Sequence, residues 1–544
     1  MQTQAIDKER KLLCSGVLVL TAANLLVKVL GFLYKVPLNA LLGDEMANIN
    51  AAYAIYTVLF TISTAGIPSA VALLISSARA KGRYEKIDEI LEVSLSVLLG
   101  CGFFLSVLLL ALARPLSLWN SGGDSFLCLL AISPALFFVA ASSVFRGYFQ
   151  GFQQMTPTAV SELIEAGGKT VFGVAFVILG MWGFGLSQGI SAALSIGGIT
   201  LGIALGTLYL FIHYLRSKRK NLLFVSSPAS KRKGKDKTKK TVLSALLSVA
   251  LPIALTSAMM NLSNLVDAQC MRPLLSLYYG DAGVAKSIYS DYSTGALTLY
   301  NMPGVLIYPI ASAIVPYISA SLARGQRGVA IKTVRSAFRV ASLIAMPASL
   351  GMSLLASPIL RLVFGTDADM AENTGGLLSV LAIAVFFVAL LTVSNATLQA
   401  IGKSKKPLIS VAVGLCVKVL TSVLLTARIG AVAAPIGTVL FFVSVVSINL
   451  YFLKKEFSFS LALGETFFRP FFTSLCAVLG AGVCFYALYP ILGNHLSVLF
   501  AVAVAVLLYV PLIFLFRCVG KEDLRLLPFG RKMQALARKK KKFG

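Results

Sequence analysis

Charge is scarce in this sequence, and negative charge scarcer still. Asp and Glu number 22 against 49 Lys and Arg, and the four together make up only 13% of 544 residues. Soluble domains carry about a quarter charged residues, so this chain cannot coat a water-facing surface of its size. Histidine is nearly absent: His213 and His495 are the only two, each near the end of an apolar run. That leaves no His-based catalytic group, and no H-E-x-x-H, Walker A or G-x-G-x-x-G spacing accompanies them. The chain therefore reads as no enzyme, with neither catalytic nor metal-ligating residues, and ATP hydrolysis of its own cannot power it. Its cysteines, Cys14, Cys101, Cys128, Cys270, Cys416, Cys476, Cys484 and Cys518, show no C-x-x-C pattern and mostly lie in apolar runs. They read as small core residues, neither a disulfide frame nor a metal site.

What fills the sequence is apolar. Hydrophobic residues make up 57% of the chain and the mean hydropathy is +0.84, more apolar surface than one soluble core can hide. At about 20 residues per crossing, an all-α polytopic membrane protein of about 14 transmembrane helices is predicted. Spans fall roughly at 12–34, 49–77, 90–113, 126–149, 158–180, 185–214, 243–266, 294–320, 334–356, 375–400, 408–427, 431–453, 468–490 and 496–516. The first begins after Lys8, Arg10 and Lys11 and has no A-x-A cleavage signal, so it reads as a retained span.

The net charge of +27 is distributed by topology. Lys and Arg occupy the N-terminus, the even-numbered loops and the C-terminal tail about 39 times, against about 6 in the odd-numbered loops. Both termini are thereby predicted to be cytoplasmic. The two richest segments, 216–240 and 517–542, suit an anionic inner leaflet. No fold or aromatic platform for bases accompanies them, so nucleic acid is not expected as a partner.

The chain also repeats itself. Phe137-Phe138-Val139-Ala140 returns as Phe386-Phe387-Val388-Ala389, and the same offset carries Gln150 onto Gln399 and Lys169 onto Lys418. Each copy runs from an apolar helix through a short turn with Pro157 or Pro407 into a second helix bearing one lysine. A weaker echo relates the segments around Ser76–Gly82 and Ser319–Gly325 and places Asn24 on Asp267. Such duplication suggests two six-helix lobes related by a pseudo-two-fold, a layout common among secondary transporters. The expected organisation is a first lobe at 1–215, a basic cytoplasmic linker at 216–242, a second lobe at 243–455, two further spans at 456–517 and a basic cytoplasmic tail at 518–544.

Polar residues inside spans mark where function is to be sought, because a charge at mid-membrane costs about 2.5–3.5 kcal/mol on insertion scales. Asn24, Lys28 and Lys35 share one face of the first helix, although Lys35, near the end, can also snorkel to a headgroup. Arg146 ends the fourth span, either as a boundary marker or as a headgroup ligand. Glu165 and Lys169, four apart with the acid first, suit an ion pair on one face of the fifth. Gly198, Gly202 and Gly206 form a small-residue seam for close packing on the sixth. Span seven carries Ser257, Asn261, Asn264 and Asp267, with Arg272 at its outer end. Prolines in Gly66-Ile67-Pro68 and Pro303-Gly304 predict helix breaks, with Pro68 and Pro303 as candidate gating points.

Three stretches carry a family resemblance: Val27-Lys-Val-Leu-Gly-Phe-Leu-Tyr-Lys-Val-Pro37, Ser63-Thr-Ala-Gly-Ile-Pro68, and Phe145-Arg-Gly-Tyr-Phe-Gln-Gly151 with Met155-Thr-Pro-Thr-Ala159. On these the chain resembles the stage V sporulation protein B group of Firmicutes. That group belongs to the multidrug/oligosaccharidyl-lipid/polysaccharide (MOP) exporter superfamily, near the lipid II flippases. The resemblance implies two lobes around a central cavity, two extra helices lining a groove for a polyprenyl tail, and a bacterial cytoplasmic membrane location. It also implies a lipid-linked peptidoglycan or polysaccharide precursor as cargo, flipped by alternating access, with cell-wall synthesis proteins as partners. Where those flippases have an Arg-Asp pair after Leu-Gly-Phe, this chain has Tyr34-Lys35, and Leu297–Tyr300 does not match their arginine on span eight. A polyprenyl-phosphate cargo in general therefore follows more closely than lipid II.

Two transport functions fit these residues. In one, an undecaprenyl-linked saccharide is flipped, its diphosphate met by Lys28, Lys35, Arg146, Lys169, Arg272 and Lys418, with Asn24, Glu165, Asn264 and Asp267 in support. In the other, a MATE-type drug or cation antiporter uses the acids Glu162, Glu165 and Asp267. No cofactor is expected, and a coupling ion such as Na+ or H+ is left open. A membrane-embedded glycosyltransferase, from a different class, needs a larger external loop than 267–293 provides.

Overall fold

The computed structural model describes residues 22–219, 235–304 and 325–519 apart from 24, 65, 81–82, 122, 153, 366–367 and 404, together with 306, 307, 314, 318, 321 and 322. Among the described residues there is helix and turn but no strand, as a chain in hydrocarbon requires when every backbone N–H must be satisfied within its own segment. Among the described residues nine helices are long and apolar enough to cross a membrane. Two of them, Lys406–Phe457 and Gly464–Leu515, each take in two of the expected spans, and Leu25–Thr61 runs from the first expected span into the second, so the turns between those spans are tight or helical.

The chain forms two compact units, Met1–Pro273 and Leu274–Gly544. In the first, α1 (25–42) leads through a 3-10 turn at Gly43–Glu45 into α2 (Met46–Thr64) and α3 (Ile67–Ala80). Then come α4 (Glu85–Ser121), α5 (Phe126–Ile132), α6 (Ala135–Gly151), α7 (Thr156–Ile178), α8 (Gln188–Arg219) and most of α9 (Lys235–Tyr279). The expected break in span two lies between α2 and α3. Pro68 is the second residue of α3, where its missing N–H leaves no intrahelical bond unmade. Gly66 is required there: a Cβ would stand 2.1 Å from the carbonyl oxygen of Ala250 on α9.

The second unit continues with α10 (Ala282–Asp291), α11 (Leu297–Tyr300), α12 (Arg327–Leu354), α13 (Ala356–Phe364), α14 (Ala368–Ala400), α15 (Lys406–Ile429), α16 (Ala433–Phe457) and α17 (Arg469–Leu515). Pro303 sits in a turn after α11, and Pro309 and Pro316 lie outside the described residues. α17 is two helices joined at Gly493, whose φ of 68° is the left-handed region open to glycine. That break falls between the two predicted last spans. Each unit repeats one scheme: α4 packs on α6 and α7 on α8 in the first, and α12 on α14 and α15 on α16 in the second.

The boundary between the two units falls inside α9. Leu246 and Ala250 of α9 are buried in the core formed by α3, α4 and α6, and Asn261 donates to Thr61 Oγ1 at 2.5 Å, so α9 is built into the first unit. The centre of the basic linker and the tail beyond 519 lie outside the described residues.

Lipid is as apolar as leucine, so close packing and buried polar bonds hold helices together here. In the second unit Asn449 of α16, fully buried, donates to Ser394 Oγ at 3.1 Å and Asn395 Oδ1 at 2.8 Å. Its carbonyl accepts from Ser410 on α15 at 2.5 Å, so one side chain ties three helices. Arg339 of α12 is paired with Glu465 just before α17.

Candidate functional site

The glycine seam foreseen on α8 sets the position of α7. A Cβ on Gly202 would lie 2.7 Å from the Lys169 nitrogen and 2.8 Å from the Glu165 carbonyl oxygen. One on Gly198 would lie 2.4 Å from the Gly173 nitrogen, and one on Gly206 2.6 Å from Glu165 Cγ. The backbone of α8 is thus the bed on which the Glu165–Lys169 turn rests.

From this turn Lys169 reaches into a set of aromatic rings. Its ammonium lies 4.5 Å from the ring centre of Tyr34 and 5.1 Å from that of Tyr53, both within cation–π range. Tyr34 is fixed in place: it is buried, and its hydroxyl bonds Ser195 Oγ of α8 at 2.8 Å. Tyr53 is 36% exposed and begins a ladder on α2, with Tyr56 at 5.7 Å and Phe60 a further 5.5 Å on. Thr170 of α7 donates to the Leu30 carbonyl of α1 at 2.9 Å, which brings α1 against the same place. Lys35 interacts electrostatically with Lys169, and Lys28 with Tyr53. Lys28 is exposed, while Lys35 and Lys169 are half-buried. Among the described residues no carboxylate lies within ion-pair distance of Lys28 or Lys169.

The acid expected to pair with Lys169 is engaged elsewhere. Glu165 Oε1 accepts from Arg146 Nη2 of α6 at 2.5 Å, Glu162 lies 3.9 Å from Nη1, and Arg146 Nε donates to Ser161 Oγ at 3.2 Å. An interhelical guanidinium, planar and two-pronged, captures the carboxylate in preference to a lysine on the same helix.

Arg272 donates to Asn48 Oδ1 at 3.2 Å and lies 3.8 Å from Asp124, while Asn48 donates to Glu45 at 2.6 Å. Asp267 is buried and Asn264 half-buried on α9. Asn24 lies outside the described residues, and the side chain of Ser257 is not described. In the second unit Lys418 is fully buried and donates to the Ala434 carbonyl at 3.1 Å and to Thr438 Oγ1 at 2.5 Å. Sequence reasoning did not name Tyr34, Tyr53 or Ser195 as site residues. The spacing of Tyr53, Tyr56 and Phe60 along one face of α2 was the available signal. No group of three or more metal-type ligands occurs among the described residues.

Broken, glycine-seamed apolar helices in two units with one repeated scheme define a multi-pass membrane transporter. The chain belongs to the polysaccharide biosynthesis protein family, whose model matches residues 13–322, and the MatE model matches 252–424. It is similar to lipid II flippase MurJ of Bacillus subtilis (strain 168), 25% identical, covering 82% of this chain and 84% of that one. It is also similar to stage V sporulation protein B of the same organism, 24% identical over 94% and 97%. Among solved structures, lipid II flippase MurJ in an inward closed conformation superposes with a TM-score of 0.69 at 15% identity, covering 92% and 99%. An inward-facing multidrug resistance MATE family transporter gives 0.60 at 15% identity, covering 83% and 99%. The fold is that of the MOP superfamily, and the chain is a flippase-type membrane transporter of that superfamily.

Proposed function

We propose that the protein flips a polyprenyl-(pyro)phosphate-linked saccharide, a peptidoglycan or polysaccharide precursor, from the inner to the outer leaflet of a bacterial cytoplasmic membrane by alternating access. Lys28, Lys35 and Lys169 meet the phosphates, and the rings of Tyr34 and Tyr53 hold Lys169 where it meets them. The carrying observation is the cation–aromatic cluster of the first unit. Lys35 and Lys169 repel one another in a half-buried place, and among the described residues neither Lys28 nor Lys169 has a carboxylate beside it. An anion relieves both costs, whereas a cationic drug raises them. Similarity to a lipid II flippase supports the same class of cargo. Both termini face the cytoplasm in this account, and anionic inner-leaflet lipids meet the basic linker and tail. Arg272 and Lys418, each held by neighbours of its own, serve the structure around the path more than the headgroup.

Mass spectrometry of lipid co-purifying with the protein tests this reading. A polyprenyl phosphate or diphosphate saccharide is expected with the wild type and depleted from Lys28→Ala/Lys169→Ala. Only bulk phospholipid on both, in cells that make the precursor, overturns it.

A further inference from the structure

The cluster of Arg146, Glu162 and Glu165 has a charge that does not close. One guanidinium faces two carboxylates, and the set sits among half-buried and buried positions where α6, α7 and α8 meet. Its bonds are uneven as well. Glu165 has the short bond to Arg146, whereas Glu162 is 3.9 Å away through its Oε1. The other oxygen of Glu162, Oε2, is out of contact with solvent and has no hydrogen-bond partner among the described residues. Two neighbouring residues carry further buried oxygens without partners among the described residues. Thr158 Oγ1, on a residue 1% exposed, lies one turn before Glu162 on α7. The hydroxyl of Tyr56, 3% exposed, belongs to a residue that interacts electrostatically with Glu165 and Arg146.

We propose that Glu162 and Glu165 together hold one exchangeable proton, making the Arg146 cluster a proton-binding site of the transport cycle. Buried polar atoms are rarely left without partners, and an uncompensated buried carboxylate is the most costly kind. A proton removes the larger fault, because it neutralises the surplus charge and spares an unbonded oxygen from carrying it. A metal cation fits less well: it needs several oxygen ligands, and the guanidinium occupies one side of the carboxylates and repels it. Among the described residues the further titratable groups acting on the site are Tyr53 and Tyr56 on α2, with Lys169 one turn on along α7. On α8 the packed surface against Glu165 is the glycine seam, which brings none. Without the proton the cluster carries one net negative charge a turn below Lys169; with it, the cluster is neutral and the positive field of Lys28, Lys35 and Lys169 is undiminished. Proton and anion therefore favour one another's binding. The site rests on the geometry of the first unit and holds whatever the cargo proves to be.

Infrared difference spectroscopy of the full-length protein in lipid, titrated between about pH 5 and 9 across the ordinary and elevated carboxyl range, tests the site directly. The wild type is expected to show a protonated-carboxyl band that disappears reversibly as pH rises. Glu162→Gln and Glu165→Gln should each remove or shift that band, and Glu465→Gln, in the second unit, should leave it. Circular dichroism on each variant confirms that it is folded before it is scored. Absence of a titrating band in the wild type, or a band unchanged in both folded variants, overturns the proposal. So does a band displaced by added Na+ at constant pH, which reassigns the site to a metal cation.

Discussion

Replacing Gly202 with alanine is a small change with a calculable consequence. The new methyl carbon lies 2.7 Å from the Lys169 nitrogen, 2.8 Å from the Glu165 oxygen and 3.1 Å from the Gly168 carbonyl carbon. All three are backbone atoms that cannot rotate away. Ordinary contact needs about 3.5 Å, so α8 must retreat from α7 by roughly 0.7 Å, and a gap of that size forfeits about a quarter to a half of each dispersion contact along the seam. Overpacking of this kind costs about 1–3 kcal/mol. Tyr34 is tied to α8 through Ser195 while Lys169 rides on α7, so the same retreat pulls the ammonium off its ring. Thermal unfolding in detergent is expected to drop by about 2–10 °C, together with weaker binding of a pyrophosphate headgroup probe. Gly197→Ala is the control: nothing lies within 4 Å of its added Cβ, and alanine there should be neutral or stabilising by up to about 1 kcal/mol. If Gly202→Ala melts no lower than Gly197→Ala, the seam does not position α7 and the reasoning fails.

Arg146→Leu strands Glu165 and Glu162 with no counter-charge and should cost about 3–5 kcal/mol, measured by chemical unfolding; adding Glu162→Gln and Glu165→Gln should recover most of the loss. Asn449→Leu removes the partner of Ser394, Asn395 and Ser410 together and is expected to lower stability by about 1–3 kcal/mol, seen in the melting of the second unit. Tyr34→Phe loses only the bond to Ser195, about 0.5–1.5 kcal/mol; because the ring remains, headgroup-probe affinity should change less than in Tyr34→Ala.

Features carried by local spacing could be read from the residues. Gly198, Gly202 and Gly206 announce a seam because glycine at intervals of four has one use in a lipid-embedded helix, and Gly66-Ile67-Pro68 announces a break because proline cannot continue the ladder. Lys28, Lys35 and Lys169 stand out because their cost in hydrocarbon demands a reason. Contacts across the chain were not legible. Tyr34 and Ser195 are separated by 161 residues, and nothing in either sequence neighbourhood points to the other. Spacing suggested Glu165 with Lys169, yet Arg146, 19 residues away across a helix hairpin, takes the carboxylate with better geometry. The packing of α9 was hidden for a related reason: Leu246, Ala250 and Asn261 meet residues far away in the chain.

Transport itself gives the most direct test. The protein, reconstituted in liposomes, is supplied with a fluorescent polyprenyl-diphosphate saccharide, and the rate of its appearance in the opposite leaflet is compared for the wild type and Lys28→Gln/Lys169→Gln. A desolvated charge contact is worth about 1.5–3 kcal/mol, so the double variant is predicted to flip the lipid about tenfold to a hundredfold more slowly at subsaturating substrate. Wild-type rates in a variant that melts normally would contradict the account.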